Sequence, residues 1–212
     1  MWKDLSKEWQ AAFEEAWAAF CSGSVPIGAA LFDRDGQLVF RDRNRCAEVG
    51  TVNRRISHAE ANLLRKVDTD RSGDLRSMKL YTTMEPCPMC MGTIVMANIR
   101  DIDYAAADDY CGAVHLLRDD AYMNAKHTKY RHMGGEHELF QLTIQSYYEL
   151  KRIDEGHTDV VLKDFRKSNP RAVAIAEKLY QDKLLDRWSK EKEVSGVFDA
   201  VCAMNGELPE SI

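Results

Sequence analysis

Two strand-like runs, residues 78–84 and 99–107, are separated by a segment of helical length that opens on Pro86 and Pro88. Proline is tolerated in the first turn of a helix. Strands joined through a helix must cross over, and so pair in parallel within a sheet. Upstream, residues 25–32 and 37–40 flank Asp33-Arg34-Asp35-Gly36, which reads as a hairpin. Before the hairpin, Leu5, Trp9, Phe13, Trp17 and Phe20 recur at helical spacing up to Gly23, giving a helix with a wide aromatic face. Ser57 can N-cap another helix with Glu60 at N3, a capping-box pattern carried on by Ala59, Asn62, Leu63 and Val67. Helix, hairpin, helix, strand, helix, strand predicts a three-layer α/β/α domain with a mixed sheet of about five strands. Residues 108–137 read as irregular, and 139–148 alternate like a fifth strand or a short helix. From His157 the pattern is helical, through Val161, Phe165, Val173 and Leu179 to a last amphipathic segment near Trp188. The expected organisation is a domain over 1–156 with a helical extension, 157–212, packed on it.

With 212 residues, 45% of them hydrophobic, the chain can bury one sizeable core. Lys and Arg number 29 against 34 Asp and Glu, a net charge of −5, and residues 151–212 hold 11 cationic and 12 acidic side chains. That balance lacks the basic footprint of a nucleic-acid binder, which makes a nucleic-acid partner improbable as a first expectation. No apolar stretch approaches the roughly 18 residues that span a bilayer. The sequence Met1-Trp2-Lys3-Asp4-Leu5-Ser6-Lys7-Glu8 has no apolar signal core, so no membrane association and a cytoplasmic location are expected. Six cysteines in such a chain argue for thiols or metal ligands, and only Cys87 and Cys90 are closely spaced.

The chemistry concentrates at two predicted helix starts, Ser57-His58-Ala59-Glu60 and Glu85-Pro86-Cys87-Pro88-Met89-Cys90. Cysteines three apart in a first turn put both sulfurs on one face, and a histidine at a second helix start can complete a trigonal set. Thiolate and imidazole suit zinc. Three protein ligands leave a fourth position for water, the mark of catalytic as against structural zinc. Glu60, two residues after His58, can sit beside that water and move protons. Each motif alone has a plainer reading: Cys-x-x-Cys also fits structural zinc or redox chemistry, and His58 alone a satisfied polar residue. A fourth protein ligand, Cys111 or His115, would make the zinc structural.

Together, His58-Ala59-Glu60 and Pro86-Cys87-Pro88-Met89-Cys90 resemble the zinc-dependent cytidine/deoxycytidylate deaminase superfamily. Glu85 through Cys90 are closest to its guanine deaminase and tRNA-adenosine deaminase branches, and the resemblance covers roughly residues 24–110. It implies the cytidine deaminase-like fold, Zn2+ held by His58, Cys87 and Cys90, and Glu60 as the catalytic proton carrier. It further implies Asn44 as a substrate contact and the backbone N–H groups of Ala59 and Cys87 as holders of the tetrahedral intermediate. A weaker likeness to the guanine branch puts Asp119 and Asp120 near the base. Loop capping is an equal reading of those aspartates, and Asp108 and Asp109 compete for the role. The family usually forms homodimers or larger homo-oligomers.

The sequence says least about substrate. Arg41, Arg43, Arg45, Arg54 and Arg55 lead into the His58 helix and read either as a phosphate contact or as a solvated, ion-paired loop. Phe140, Tyr147, Tyr148 and Trp188 are candidates for stacking on a base or closing the pocket, but all four read first as core or interface residues. The leading expectation is hydrolytic deamination of a small nucleobase, nucleoside or related amino-heterocycle, guanine-like purines first, using water as co-substrate. The alternatives are a tRNA-adenosine deaminase and a non-catalytic zinc-stabilised module.

Overall fold

A computed structural model describes residues 1–209. Five strands form one sheet: β1 Gly28–Phe32, β2 Leu38–Arg43, β3 Lys79–Met84, β4 Asp101–Ala106 and β5 Lys129–His132, in the order β2-β1-β3-β4-β5. β1 pairs antiparallel with β2 and β3, whereas β3–β4 and β4–β5 are parallel. The helix between β3 and β4 forces the parallel register, as the sequence predicts.

Ten α-helices accompany the sheet among the described residues: α1 Lys7–Cys21, α2 Ala59–Leu64, α3 Pro88–Met96, α4 Leu116–Asp119, α5 Ala121–Asn124, α6 Gly135–Asp154, α7 Val160–Ser168, α8 Pro170–Gln181, α9 Leu184–Glu191 and α10 Val194–Glu207. Side chains alternate across the sheet. Ala30 and Phe32 join an apolar cluster with α1, α6, α8 and α10, while Ala29 and Leu31 join one with α2 and α3. This is the three-layer α/β/α arrangement expected. α1 lies so close to β1 that a Cβ on Gly28 would stand 2.2 Å from the Ala12 carbonyl oxygen.

Three elements differ from the sequence reading. Residues 139–148 are neither a strand nor a short helix; they belong to α6, 20 residues long. Leu139, Phe140, Leu142, Ile144 and Tyr147 are buried alongside Gln141, Thr143, Gln145 and Ser146. A helix covered on nearly every side has no single apolar stripe for periodicity to detect. The fifth strand lies earlier, inside the stretch expected to be irregular, and all four residues of β5 are exposed. The cap of α2 is His58, not Ser57; the Ser57 hydroxyl instead donates to Asn62 Oδ1 at 3.3 Å.

Among the described residues no helix is long and apolar enough to cross a membrane. All six cysteines are free.

Candidate metal centre and active site

α2 and α3 start side by side. His58 is the N-cap of α2 and Cys87 the N-cap of α3, with Pro88 opening the latter helix. That placement brings His58 Nδ1 to 3.5 Å from Cys87 Sγ and 3.7 Å from Cys90 Sγ. The three donor atoms lie within 4.8 Å of one another, and no other His, Cys, Asp or Glu of the described residues joins them. Cys111, weighed above as a fourth ligand, lines the same cavity but stands outside the trio; His115 caps α4 and does not line the cavity.

The electrostatics of the trio suit a cation. The Cys90 thiol and the His58 imidazole hold the Cys87 thiol down to about 4, against the opposing effect of burial. The same Cys87 sulfur, with burial, drives Cys90 up. Hydrogen bonds to Cys46 and Cys87 raise His58 to about 10. One imidazole with two closely set sulfurs is a zinc donor set, and a divalent cation bound there would take the place of their protons.

Glu60 sits in the first turn of α2, 3% exposed, and lines the cavity beside His58 and Cys87. Thr82 Oγ1, on β3, donates to Glu60 Oε1 at 2.8 Å. Burial pushes the Glu60 carboxyl up, outweighing His58 and Thr82, which favour its ionised form. A raised carboxyl beside the ligand trio is suited to passing protons.

The Glu85-Pro86 step ties two loops together. Glu85 Oε1 accepts from Val114 N at 3.0 Å, Glu85 Oε2 from Asp108 N at 3.3 Å, and Ala113 N donates to the Pro86 carbonyl at 3.0 Å. These bonds anchor the β4–α4 loop, which carries Asp108, Tyr110 and Cys111 into the cavity wall.

The cavity has a volume of about 150 Å³. Asn44 lines it, 2% exposed, with its Oδ1 taken by Cys46 N at 2.9 Å and Ser24 Oγ at 3.3 Å. Ala59, the first residue of α2, is fully buried directly after His58. The other expected substrate contacts lie elsewhere. Asp119 pairs with Arg118 at 2.7 Å on the surface, Asp120 caps α5 through Met123 N at 2.9 Å, and neither lines the cavity. For Asp120 the capping reading describes what is found; of the competing aspartates Asp108 lines the cavity and Asp109 does not. Phe140 and Tyr147 are core residues, and neither they nor Tyr148 and Trp188 reach the cavity.

The arginine-rich loop is largely ion-paired. Arg41 pairs with Glu14 and Glu15, Arg43 with Glu15 and Glu48, and Arg45 with Asp42 and Glu48. Sequence reasoning missed Gln145 and Glu149 of α6 and did not assign Val161 and Phe165 of α7 to the site, although all four line the cavity. A signal existed for the first two: polar residues four apart in an apolar stretch share one helical face.

Residues 3–106 match the family model of the cytidine and deoxycytidylate deaminase zinc-binding region. The tRNA-specific adenosine deaminase of Agrobacterium fabrum is 33% identical over 147 residues, covering 68% of this chain and 93% of that protein. The tRNA(Ile)-lysidine synthase of Deinococcus radiodurans is 38% identical over 96 residues, which is 45% of this chain but only 16% of that protein. Among solved structures, one from a study of A-to-I editing by tRNA:A34 deaminases superposes with a TM-score of 0.50 at 31% identity, over 60% of this chain and 96% of that one. With the ligand trio assembled, and with Glu60 lining the same cavity as His58 and Cys87, the chain belongs to the zinc-dependent cytidine and deoxycytidylate deaminase superfamily, hydrolases that act on the C–N bonds of cyclic amidines.

Proposed function

We propose that this protein hydrolytically deaminates a small amino-heterocycle, a free base or nucleoside, which enters the cavity beneath α7. The observation that carries this reading is the wall formed by Val161 and Phe165. They come from the C-terminal helices, and Phe165 is 1% exposed. A nucleotide still attached to RNA needs an open mouth for its backbone and cationic groups for its phosphates. Here no Lys or Arg of the described residues lines the cavity, and Arg41, Arg43 and Arg45 are engaged with carboxylates.

His58, Cys87 and Cys90 would hold the zinc. When bound, zinc makes water nucleophilic at neutral pH. Glu60, oriented by Thr82, takes a proton from the attacking water, delivers it to the ring nitrogen and then protonates the leaving amine. A C–O bond forms, the C–N bond breaks, and the net reaction converts one amine and one water to a carbonyl and ammonia. Asn44, its Oδ1 already occupied, offers its Nδ2 to the heterocycle as donor. Ala59 and Cys87, at the two helix starts, offer backbone N–H groups to the developing oxyanion.

A second reading, deamination of adenosine in tRNA, is favoured by the relatives named above. It requires α7 to move aside and a phosphate path outside the paired arginines. Ammonia release by the zinc-loaded protein separates the two. The first reading expects turnover of at least one base or nucleoside from a panel of adenine, guanine, cytosine, their nucleosides, amino-triazines and pterins, with an anticodon stem–loop left intact. Conversion of adenosine to inosine in the stem–loop, with no small substrate used, would establish the second. The cytoplasmic location and homodimeric assembly expected from the sequence are compatible with either reading.

A further inference from the structure

We propose that Gln145 and Glu149 form an acceptor edge that selects unphosphorylated amino-heterocycles carrying a second N–H donor beside the amine that is lost; this rests on the small-substrate reading above. Gln145 and Glu149 are one helical turn apart on α6, 5% and 4% exposed, and both line the cavity. Gln145 Nε2 donates to Glu149 Oε1 at 3.0 Å. A carboxylate accepts only from the NH₂ end of an amide, so this bond fixes which way the Gln145 side chain faces. Its Oε1 is the end left over, buried with no hydrogen-bond partner.

Buried carbonyl oxygens are ordinarily paired, and one left open on a cavity wall marks a place for a ligand N–H. Glu149 is likewise underused: beyond Gln145 its contact is Arg152 Nη1, 3.6 Å from Oε2. Two acceptors side by side match a second donor next along the edge from the amine that is lost: the ring N–H of guanine, or the second exocyclic amine of 2,6-diaminopurine. Adenine and 4-aminopyrimidine offer neither on that edge. A site built to hydrogen-bond a substrate N–H discriminates strongly against an analogue lacking it, because its own polar groups are then stranded. The cavity wall also carries Glu60, Glu85 and Asp108 but no Lys or Arg among the described residues, which disfavours a phosphorylated substrate.

The test compares kcat/KM for 2,6-diaminopurine with adenine, and for 2,4-diaminopyrimidine with 4-aminopyrimidine, in the zinc-loaded wild-type protein, Gln145→Met and Glu149→Met. Zinc content and melting temperature are recorded for each. The wild type is expected to favour the diamino compound at least tenfold in one pair, and each variant to reduce that preference to below threefold at unchanged zinc content. Should Glu149→Met fail to fold, Gln145→Met alone reads the preference. Ammonia release with no diamino preference, or with a preference that survives Gln145→Met, overturns the acceptor edge while leaving the deaminase reading intact. A protein that releases ammonia from no heterocycle, yet edits a tRNA stem–loop, overturns both.

Discussion

Thr82→Val isolates the group that tunes Glu60. The two side chains are nearly isosteric, and Thr82 is fully buried in β3, so the change removes one hydroxyl with little loss of volume. That hydroxyl donates to Glu60 Oε1 at 2.8 Å. A hydrogen bond to a charged group contributes about 1.5–3 kcal/mol. Because the hydroxyl favours the carboxylate over the carboxylic acid, losing it shifts the Glu60 protonation equilibrium toward the acid by about ten- to hundredfold. Burial already pushes this carboxyl up, and the substitution pushes it further the same way. Glu60 must be ionised to take a proton from water. The acid limb of the kcat/KM profile should therefore move to higher pH by that tenfold to hundredfold in proton concentration, with zinc content unchanged. The assay is ammonia release across pH 4–9 in both proteins, once a substrate is in hand. An acid limb that stays in place would show that Glu60 is not the group titrating there.

Other perturbations test the frame around the site. Gly28→Ala places a Cβ 2.2 Å from Ala12 O and 2.4 Å from Ala16 N, so α1 must back off the sheet; the expected loss is about 1–3 kcal/mol in urea denaturation. Asp42, 1% exposed, receives Arg45 Nη2 at 2.8 Å and has Lys66 Nζ 2.6 Å from Oδ2, off the hydrogen-bonding direction. Burial pushes its carboxyl up, but Lys66, the Arg43 backbone and Arg45 prevail and hold it below the ordinary value of 3.8. A lowered carboxyl stabilises the fold above its unfolded value and loses that contribution as pH falls through the folded one. Asp42→Asn should therefore cost about 2–3 kcal/mol at pH 7, and the gap to wild type should close in acid melts below pH 4. Cys87→Ala should abolish stoichiometric zinc binding and lower the melting temperature; one zinc per chain in that variant would contradict the ligand assignment.

Much of this architecture is legible in the chain because the relevant signals are local. The aromatic spacing from Trp9 to Phe20 gives α1, the Asp33–Gly36 turn gives the β1–β2 hairpin, and the prolines before Cys90 place α3. The ligand trio is legible because each member sits at a helix start that the sequence marks. What failed to show is what tertiary packing decides. β5, Lys129–His132, is an exposed edge strand in parallel register with β4 and has no apolar alternation to announce it. α6 hides its period because buried polar residues interrupt it. Nothing local to Val161 or Phe165 says that α7 folds back over a zinc site more than 70 residues away in sequence. Asp119 and Asp120, placed near the base by a likeness in order along the chain, stand exposed at the α4–α5 turn and do not line the cavity.

The central claim is that one carboxylate beside a three-ligand zinc site moves the protons. Glu60→Gln keeps the shape of that side chain and removes its ability to take a proton, so zinc analysis and ammonia release on the same sample test the claim together. The account predicts one zinc per chain in both proteins, and ammonia release lowered by at least 10³-fold in Glu60→Gln, of the order expected when general acid–base catalysis is lost. Turnover within tenfold of wild type at full zinc occupancy would contradict it.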